Sequence, residues 1–141
     1  MKTRLQIEVM PWDKAREQAS RIRFAVFVDE QRVPQEIELD EHDDTSLHAL
    51  VFSGKEAVAT GRLLPDGHIG RMAVLKDWRK KGAGGLMLTT LMKMAKLLGH
   101  KEIVLSAQTH AVAFYRKHGF TEEGAEYMDA GIPHRDMRRA L

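Results

Sequence analysis

Residues 78–100 read WRKKGAGGLMLTTLMKMAKLLGH and join a regular helical pattern to an unusual beginning. From Leu86 to Leu98, apolar residues recur at three- and four-residue spacings and good helix formers fill the gaps, which predicts a helix. Helix N-termini favour acidic side chains, because the helix dipole places partial positive charge there. This helix begins instead with three basic residues and three glycines: Arg79, Lys80, Lys81, Gly82, Gly84 and Gly85. Such a beginning is unfavourable for an isolated helix.

A bound anion would make these features favourable. A strand that leads into a glycine-rich loop and then a helix exposes several backbone N–H groups at one point. Glycines let a ligand approach that backbone closely, and basic side chains attract a phosphate or pyrophosphate. The alternative is a flexible loop whose glycines ease the packing of the helix on the sheet. The spacing fits neither a Walker P-loop nor the Rossmann dinucleotide fingerprint.

The composition is that of a single globular domain spanning residues 1–141. Hydrophobic residues make up 43% and charged residues 30% of the chain, and the net charge is only +2, which argues against a dedicated nucleic-acid-binding protein. The absence of cysteine excludes disulfides, thiolate metal sites and cysteine nucleophiles. No apolar run has the length of a membrane span or a signal-peptide core. We therefore expect a cytoplasmic protein with neither nucleic acid nor membrane as a partner.

Residue periodicity along the rest of the chain predicts a mixed α/β fold. The predicted strands occupy residues 4–9, 47–52, 56–63, 68–75 and 103–107, with a last hairpin of 120–128 and 134–140 around Ala130-Gly131-Ile132-Pro133. One face of a predicted helix carries Trp12, Ala15, Ala19, Ile22 and Val26. A further helix is expected at 111–118. This order places antiparallel hairpins first and a β-α-β unit across residues 69–107.

Two motifs in this order resemble those of the GNAT N-acetyltransferase superfamily. Residues 79–84 match the pattern R/Q-x-x-G-x-G/A, after a strand and at the start of a helix, and residues 111–120 match A-x-x-F/L-Y-x-x-x-G-F. The segment FVDEQRVPQEIELDEHD and the later GIPH are similar to the ElaA-like branch of predicted acyltransferases. The resemblance covers essentially the whole chain. It implies a mixed, mostly antiparallel sheet with a splayed pair of parallel strands, flanked by helices.

The resemblance further implies that acetyl-CoA binds between the splayed strands. Its pyrophosphate would lie on the glycine loop, and its pantetheine arm would pair with the edge of the fourth strand. The implied cofactor-binding residues are Met72, Ala73, Val74, Arg79, Lys80, Lys81, Gly82, Ala83, Gly84, Gly85, Gln108, Phe114 and Tyr115. Gln108 stands where many relatives carry Asn. Tyr115 corresponds to the tyrosine that protonates the departing thiolate; without the resemblance it would be interpreted as a core aromatic.

The acceptor implied by the resemblance is a small-molecule primary amine, which needs a base because it arrives protonated. The candidate acceptor-site residues are Glu30, Asp40, His48, Arg71, His110 and His134, and the sequence does not choose among them. A non-catalytic acyl-CoA-binding sensor is the alternative function.

Two further features remain open. The acidic segment 36–44 either lines the acceptor cleft, where it would attract cationic acceptors, or forms a solvated loop whose carboxylates pair with arginines. Its spacing fits no EF-hand loop, so we expect no metal. The resemblance allows a homodimer, because many members of the family dimerise through strands or the C-terminal hairpin. Met128, Ile132 and Met137 are therefore assigned either to such an interface or to the interior.

Overall fold

The computed structural model describes residues 4–35 and 40–141. The strands in these ranges are β1 (Leu5–Pro11), β2 (Leu47–Ser53), β3 (Glu56–Leu63), β4 (Ile69–Val74), β5 (Glu102–Gln108), β6 (Thr121–Asp129) and β7 (Ile132–Ala140). The α-helices are α1 (Trp12–Arg23), α2 (Ala83–Leu97) and α3 (Val112–Lys117). A π-helix, Phe24–Glu30, continues α1, and short 3-10 helices span Asp43–Thr45, Lys76–Trp78 and Thr109–Ala111.

The first four strands form an antiparallel sheet in the order β1-β2-β3-β4. Successive residues of a strand point to opposite faces, and β2 shows this clearly. Ala49 and Val51 belong to the same buried cluster as Leu91 of α2, whereas Leu50 belongs to the cluster that contains Ile22 of α1. The two helices therefore cover opposite faces of the sheet. The apolar face predicted for α1 is confirmed, since its residues are buried.

The last three strands form a second antiparallel sheet in the order β5-β7-β6. The two sheets meet at a parallel bridge between His68 and Val104, where the Val104 N–H donates to the Gly67 carbonyl at 3.3 Å. Beyond it, within the described part of the chain, β4 pairs only with β3 and β5 only with β7. The parallel strands β4 and β5 therefore separate toward their C-terminal ends, as the resemblance implied. These ends lead into α2 and α3, so both sequence motifs lie at the open end.

The C-terminal elements differ in detail from the sequence prediction. β6 ends at Asp129 and β7 begins at Ile132, so the turn consists of Ala130 and Gly131, with φ of 52° and 76°. Two residues with positive φ match the twist of a hairpin, and Ile132 and Pro133 are consequently part of β7 and not of the turn. The helix predicted at 111–118 begins as the 3-10 helix Thr109–Ala111 and becomes α-helical at Val112.

The sequence did not decide whether Met128, Ile132 and Met137 lie at an interface or in the interior, and the structure shows that their exposure differs. Met137 is fully buried, Ile132 is partly buried, and Met128 is 65% exposed. Met137 therefore belongs to the interior. Within residues 4–35 and 40–141, no helix has the length and apolar character required to span a membrane.

Candidate active site

A cleft of about 1040 Å³ opens where β4 and β5 diverge. All of β4 lines one wall, and Ser106 and Gln108 of β5 line the other. The loop before α2 contributes at one end, and the β6–β7 turn contributes Asp129 and Ala130. The cleft is therefore formed by the same divergence of strands that separates the two sheets.

A β-bulge shapes the β4 wall. Thr60 pairs with Ala73 and Arg62 pairs with Gly70, so the two residues between them on β4, Arg71 and Met72, face a single residue of β3. Arg71 has a positive φ of 49°. A bulge interrupts the regular ladder and redirects the chain locally, and here it lies in the strand that borders the cleft.

The glycine loop begins α2 without a capping side chain. Gly82 is the N-cap residue, with φ of 92° and no side-chain cap hydrogen bond, and Lys80 also has a positive φ, 62°. The first turn of the 15-residue helix contains no acidic residue. Its N–H groups and helix dipole therefore favour an anion at this end. The loop residues that line the cleft are Arg79, Lys80, Gly82, Gly84 and Gly85.

Two other loop residues make different contacts. Lys81 places its Nζ 5.2 Å from the ring centroid of Trp78, a cation–π geometry. Ala83 is buried in the core beneath the helix. Neither side chain lines the cleft, so any contact of these two residues with a ligand there would involve their backbone.

Arg79 connects the loop to two other elements. Its Nε donates to the Val74 carbonyl at 3.0 Å, and its two terminal nitrogens donate to the carboxylate of Glu30 at 2.8 and 3.0 Å. This bidentate pair fixes the guanidinium beside the end of β4. It also occupies the carboxylate of Glu30, a sequence candidate for the acceptor site.

The two sequence motifs meet in the structure. A β-carbon added at Gly84 would lie 3.4 Å from Cζ of Phe114, so the first turn of α2 passes directly beside α3. Tyr115, which follows Phe114 in the sequence, donates a hydrogen bond from Oη to Sδ of Met72 on β4 at 3.6 Å. Burial raises the pKa of Tyr115 to about 12. Its phenol therefore keeps its proton at neutral pH, as a general acid requires.

A pair of glutamines spans the cleft. Nε2 of Gln31 donates to Oε1 of Gln108 at 3.1 Å, and Nε2 of Gln108 donates to Oε1 of Gln31 at 2.7 Å. Gln31 follows the π-helix and Gln108 ends β5. Sequence reasoning identified Gln108 but missed Gln31, because no local pattern marks a residue whose partner is 77 positions away.

The acidic segment is paired with arginines where it is described. Asp40 binds Arg62 at 2.7 and 3.0 Å and Arg71 at 3.2 Å. Asp43 binds Arg23 at 2.8 and 3.1 Å and Arg62 at 2.9 Å. This acid–arginine network (Arg23, Asp43, Arg62, Asp40 and Arg71) runs from the interior to the cleft. Pairing with arginines was one of the two alternatives that the sequence left open, but Asp43 is buried and not part of a solvated loop. Residues 36–39 lie outside the described residues.

The network sets the charge state of its carboxylates. Burial alone would raise the pKa of Asp40, but hydrogen bonds and charge from Arg62, with the charge of Arg71, lower it to about 2. The pKa of Asp43 is lowered against the effect of burial by Arg23 and Arg62. Both carboxylates are therefore ionised and weakly basic. Arg62 was missed from the sequence, although an arginine in a strand as buried as β3 is itself a signal.

The six acceptor-site candidates occupy different positions. Arg71, His110 and His134 line the cleft. The other three, Glu30, Asp40 and His48, lie beside or beneath it and form hydrogen bonds with other residues. His48 is buried, and its Nε2 donates to the Asp43 carbonyl at 2.9 Å. Its ring also packs on Trp12 with centroids 4.7 Å apart, and burial lowers its pKa. His48 therefore supports the acid–arginine network from the interior.

Comparison with known proteins identifies the family to which the chain belongs. Residues 13–141 match the family model described as acetyltransferase (GNAT) domain. The chain belongs to the GNAT acetyltransferase family. This GNAT chain is 43% identical over 122 residues to the uncharacterized N-acetyltransferase YjcF of Bacillus subtilis, across 84% of this chain and 87% of YjcF. It is 35% identical over 129 residues to protein ElaA of Escherichia coli, across 86% and 84% of the two chains.

Solved structures agree with the family assignment. A crystal structure of Escherichia coli ElaA superposes with a TM-score of 0.86 at 27% identity, covering 95% of this chain and 99% of ElaA. An acyl-CoA N-acyltransferase from Pseudomonas aeruginosa superposes with a TM-score of 0.87 at 29% identity, covering 97% and 100%. The predicted GNAT-type fold and the ElaA-like resemblance are confirmed. The protein is a GNAT acyltransferase, and its fold implies the use of an acyl-CoA.

Proposed function

We propose that this GNAT enzyme transfers an acetyl group from acetyl-CoA to a primary amine of a small molecule by direct attack in a ternary complex. One observation supports the proposal most directly. The N-terminus of α2, where Gly82 provides no side-chain cap, and the protonated Tyr115 lie at the same cleft. The helix supplies an anion site, and Tyr115 supplies a proton donor beside the strand edge. Acetyl-CoA supplies an acyl group activated as a thioester.

The loop residues 79–85 bind the pyrophosphate in this proposal. The N–H groups of the first turn of α2 donate to its oxygens, and the left-handed Gly82 keeps a side chain away from them. Lys80 adds positive charge, and so does Arg79, held in place by Glu30. Lys81 and Ala83 contribute through their backbone. These features support a pyrophosphate-bearing ligand independently of the family assignment.

The β4 edge binds the pantetheine arm. Met72 in the bulge and Ala73 and Val74 after it line the cleft, and β4 pairs with β3 on its other side. Backbone groups of these residues can therefore pair with the amides of an extended arm. An N–H there would also stabilise the oxyanion that develops on the thioester carbonyl, an effect worth about 3–4 kcal/mol in other acyl-transfer enzymes.

Tyr115 completes the reaction by donating its phenolic proton to the departing thiolate. Contact with Met72 keeps its Oη beside the same strand edge that receives the thioester. Phe114 holds α3 against the glycine loop, and Gln108 offers an amide at the end of β5. No cysteine is present to form a thioester on the protein, in keeping with direct attack by the amine.

The acceptor enters from the side lined by Arg71, His110 and His134. The two described carboxylates of the acid–arginine network, Asp40 and Asp43, are neutralised by arginines. They therefore do not supply the free carboxylates that would attract polyamines. Asp129 at the β6–β7 turn does line the cleft, so the amine panel includes cationic acceptors such as polyamines.

Release of CoA thiol tests the proposal. A thiol-reactive dye reports it without background, because the chain has no cysteine. We expect at least one amine in a panel of amino acids, amino sugars, aminoglycosides, polyamines and lysine peptides to accelerate thiol release from acetyl-CoA. Tight binding of acetyl-CoA without acceleration by any amine, and without acylated product by mass spectrometry, would instead favour the sensor function.

A further inference from the structure

The proposed function requires a group that removes a proton from the incoming ammonium, and the following inference rests on that function. Four of the six sequence candidates are poorly suited as bases. Glu30 is bound to Arg79, and Asp40 is bound to two arginines. His48 lies in the interior, and Arg71 is a permanently protonated guanidinium. Two histidines that line the cleft remain, His110 and His134.

His134 is held in a fixed orientation. It is only 9% exposed, and its Nδ1 lies 2.7 Å from the carbonyl oxygen of Ile132. Its ring stacks on Tyr127 of β6, with centroids 6.0 Å apart and an interplanar angle of 21°. His110, in contrast, is exposed on the 3-10 helix after β5. Two contacts therefore set both the position and the rotation of the His134 ring.

The contact with Ile132 also determines the tautomer. A carbonyl oxygen only accepts hydrogen bonds, so Nδ1 of His134 carries the proton and donates. In the neutral ring, Nε2 then has the free lone pair, and the stack on Tyr127 does not use it. A backbone carbonyl on the distal nitrogen is a common way of orienting a functional histidine.

Polar and charged side chains close to His134 form hydrogen bonds with other residues. On β6, Tyr127 donates its hydroxyl to Asp136 at 2.7 Å and also bonds Ser106. On β7, Arg135 donates to the Gly124 carbonyl at 2.7 Å. The register neighbour of His134 on β5 is Gln108, which is uncharged. The β6–β7 turn also contributes Asp129 to the cleft. The other titratable or charged residues that line the cleft are His42, Arg62, Asp66, His68, Arg71, Arg79, Lys80, His110 and Tyr115.

We propose that Nε2 of His134 is the general base of the acyl transfer. His134 takes a proton from the acceptor ammonium, and the freed amine forms the C–N bond at the thioester carbon. The C–S bond then breaks, and Tyr115 gives its proton to the leaving thiolate. The second proton lost by the nitrogen restores Tyr115 through solvent, and His134 returns its proton to the open cleft. The net products are an amide, CoA thiol and one released proton.

His134→Asn tests this assignment with little disturbance of the fold, because the amide of Asn can still donate to the Ile132 carbonyl. With acetyl-CoA and the fastest amine of the panel, we expect kcat at pH 7 to fall about 100-fold. The deficit should shrink as the pH rises toward the pKa of the amine, because the acceptor then arrives already deprotonated. Acetyl-CoA affinity should match the wild type, and the melting temperature should fall only slightly, because the stack on Tyr127 is lost. His100→Asn, outside the cleft, is the control and should keep wild-type kinetics.

A second readout does not use turnover. Long-range proton–nitrogen NMR of the free protein, assigned with the His134→Asn variant, should show that the neutral form of His134 carries its proton on Nδ1 and not on Nε2. The opposite tautomer would overturn the assignment. So would wild-type kcat in His134→Asn, or a deficit of equal size at every pH, which indicates a structural role. If no amine accelerates thiol release by the wild-type enzyme, the proposed function is wrong. If the wild type is active and His134→Asn is equally active, only the assignment of His134 as the base is wrong.

Discussion

Gly84 lies against the ring of Phe114, so that a β-carbon at Gly84 would stand 3.4 Å from Cζ. This distance is an ordinary van der Waals contact, and Gly84 has a helical backbone without positive φ. The contact joins the first turn of α2 to α3 and thereby fixes the spacing between the anion site and Tyr115. It accommodates one methyl group but not a larger side chain.

Gly84→Ala should therefore stabilise the protein. Alanine fits the available space and reduces the freedom of the unfolded chain, so we expect the free energy of unfolding to rise by about 0.5–1 kcal/mol. Gly84→Leu should lower it by about 1–3 kcal/mol, because the Phe114 ring must move. Urea unfolding measures both. Equal destabilisation by Ala and Leu would show that the Phe114 ring leaves no room for even a methyl group at residue 84.

Gly82→Asp should weaken binding of CoA more than Gly82→Asn does. Both side chains tolerate the left-handed region better than most residues, so each should cost a similar stability, about 1 kcal/mol. Only Asp adds a negative charge at the start of α2, where we place the pyrophosphate. Calorimetric titration with CoA should show at least about tenfold weaker binding for Asp than for Asn, equivalent to about 1.4 kcal/mol. Equal affinities would remove the pyrophosphate from this loop.

Tyr115→Phe should lower kcat by about 100-fold while leaving acetyl-CoA affinity nearly unchanged, because the lost proton transfer belongs to the transition state. Since burial raises the pKa of Tyr115 to about 12, the phenol stays protonated as the pH rises through the neutral and mildly alkaline range. Wild-type activity should therefore show no loss from Tyr115 ionisation below pH 10. A variant that keeps wild-type turnover would exclude Tyr115 as the acid.

Asp40→Asn should destabilise the protein at neutral pH and not in strong acid. The pKa of Asp40 is lowered from 3.8 to about 2 in the folded state, so its carboxylate stabilises the fold above about pH 4. That contribution is lost as the pH falls toward 2, because the group then binds a proton. We expect a loss of about 1–2 kcal/mol at pH 7 that diminishes between pH 4 and 2.

Asp44→Asn is the matched control for that comparison. Asp44 neighbours the network in sequence but is exposed, so its substitution should change the free energy of unfolding by less than about 0.5 kcal/mol at every pH. A pH-independent effect of Asp40→Asn, or an equal effect of both substitutions, would contradict the assigned role of the arginines.

Gln31 and Gln108 should be energetically coupled. Each single alanine substitution leaves the other amide without its partner, so the double variant should be about 1 kcal/mol more stable than the sum of the single effects predicts. Chemical unfolding of the four proteins in the cycle measures this coupling. A cycle of Gln31→Ala with Gln18→Ala is the control and should be additive, since Gln18 bonds Arg21 on α1. Additivity in both cycles would mean that the glutamine pair does not persist in solution.

Local sequence patterns were sufficient for the order of the elements. The strand at 4–9 and the helix from Trp12 were predictable because alternation and three-to-four spacing depend only on near neighbours. Differences arose at the ends: Ile132 and Pro133 belong to β7, because a two-residue turn with positive φ already reverses the chain. Such boundaries depend on strand pairing, which a single segment does not reveal.

The acid–arginine network shows where sequence reasoning reached its limit. The sequence left open whether the acidic segment 36–44 lines the acceptor cleft or pairs with arginines, and it did not identify which arginines would be involved. Arg23 lies 20 residues before Asp43, and Arg62 lies 22 residues after Asp40. Only the packing of α1 and β3 brings them together. The same packing makes Asp40 a weak base and removes it from the set of acceptor-site bases.

The sequence by itself determined the helix that begins on glycines among basic residues, the position of Tyr115 and the succession of strands, because periodicity and glycine preference are local properties. The tertiary structure decided which side chains meet. It brought Gln31 to Gln108 across 77 residues, placed Gly84 against Phe114, and fixed the tautomer of His134, one of the two candidate histidines that line the cleft. Contacts of this kind arise where two sheets diverge, and that divergence is a property of the whole chain.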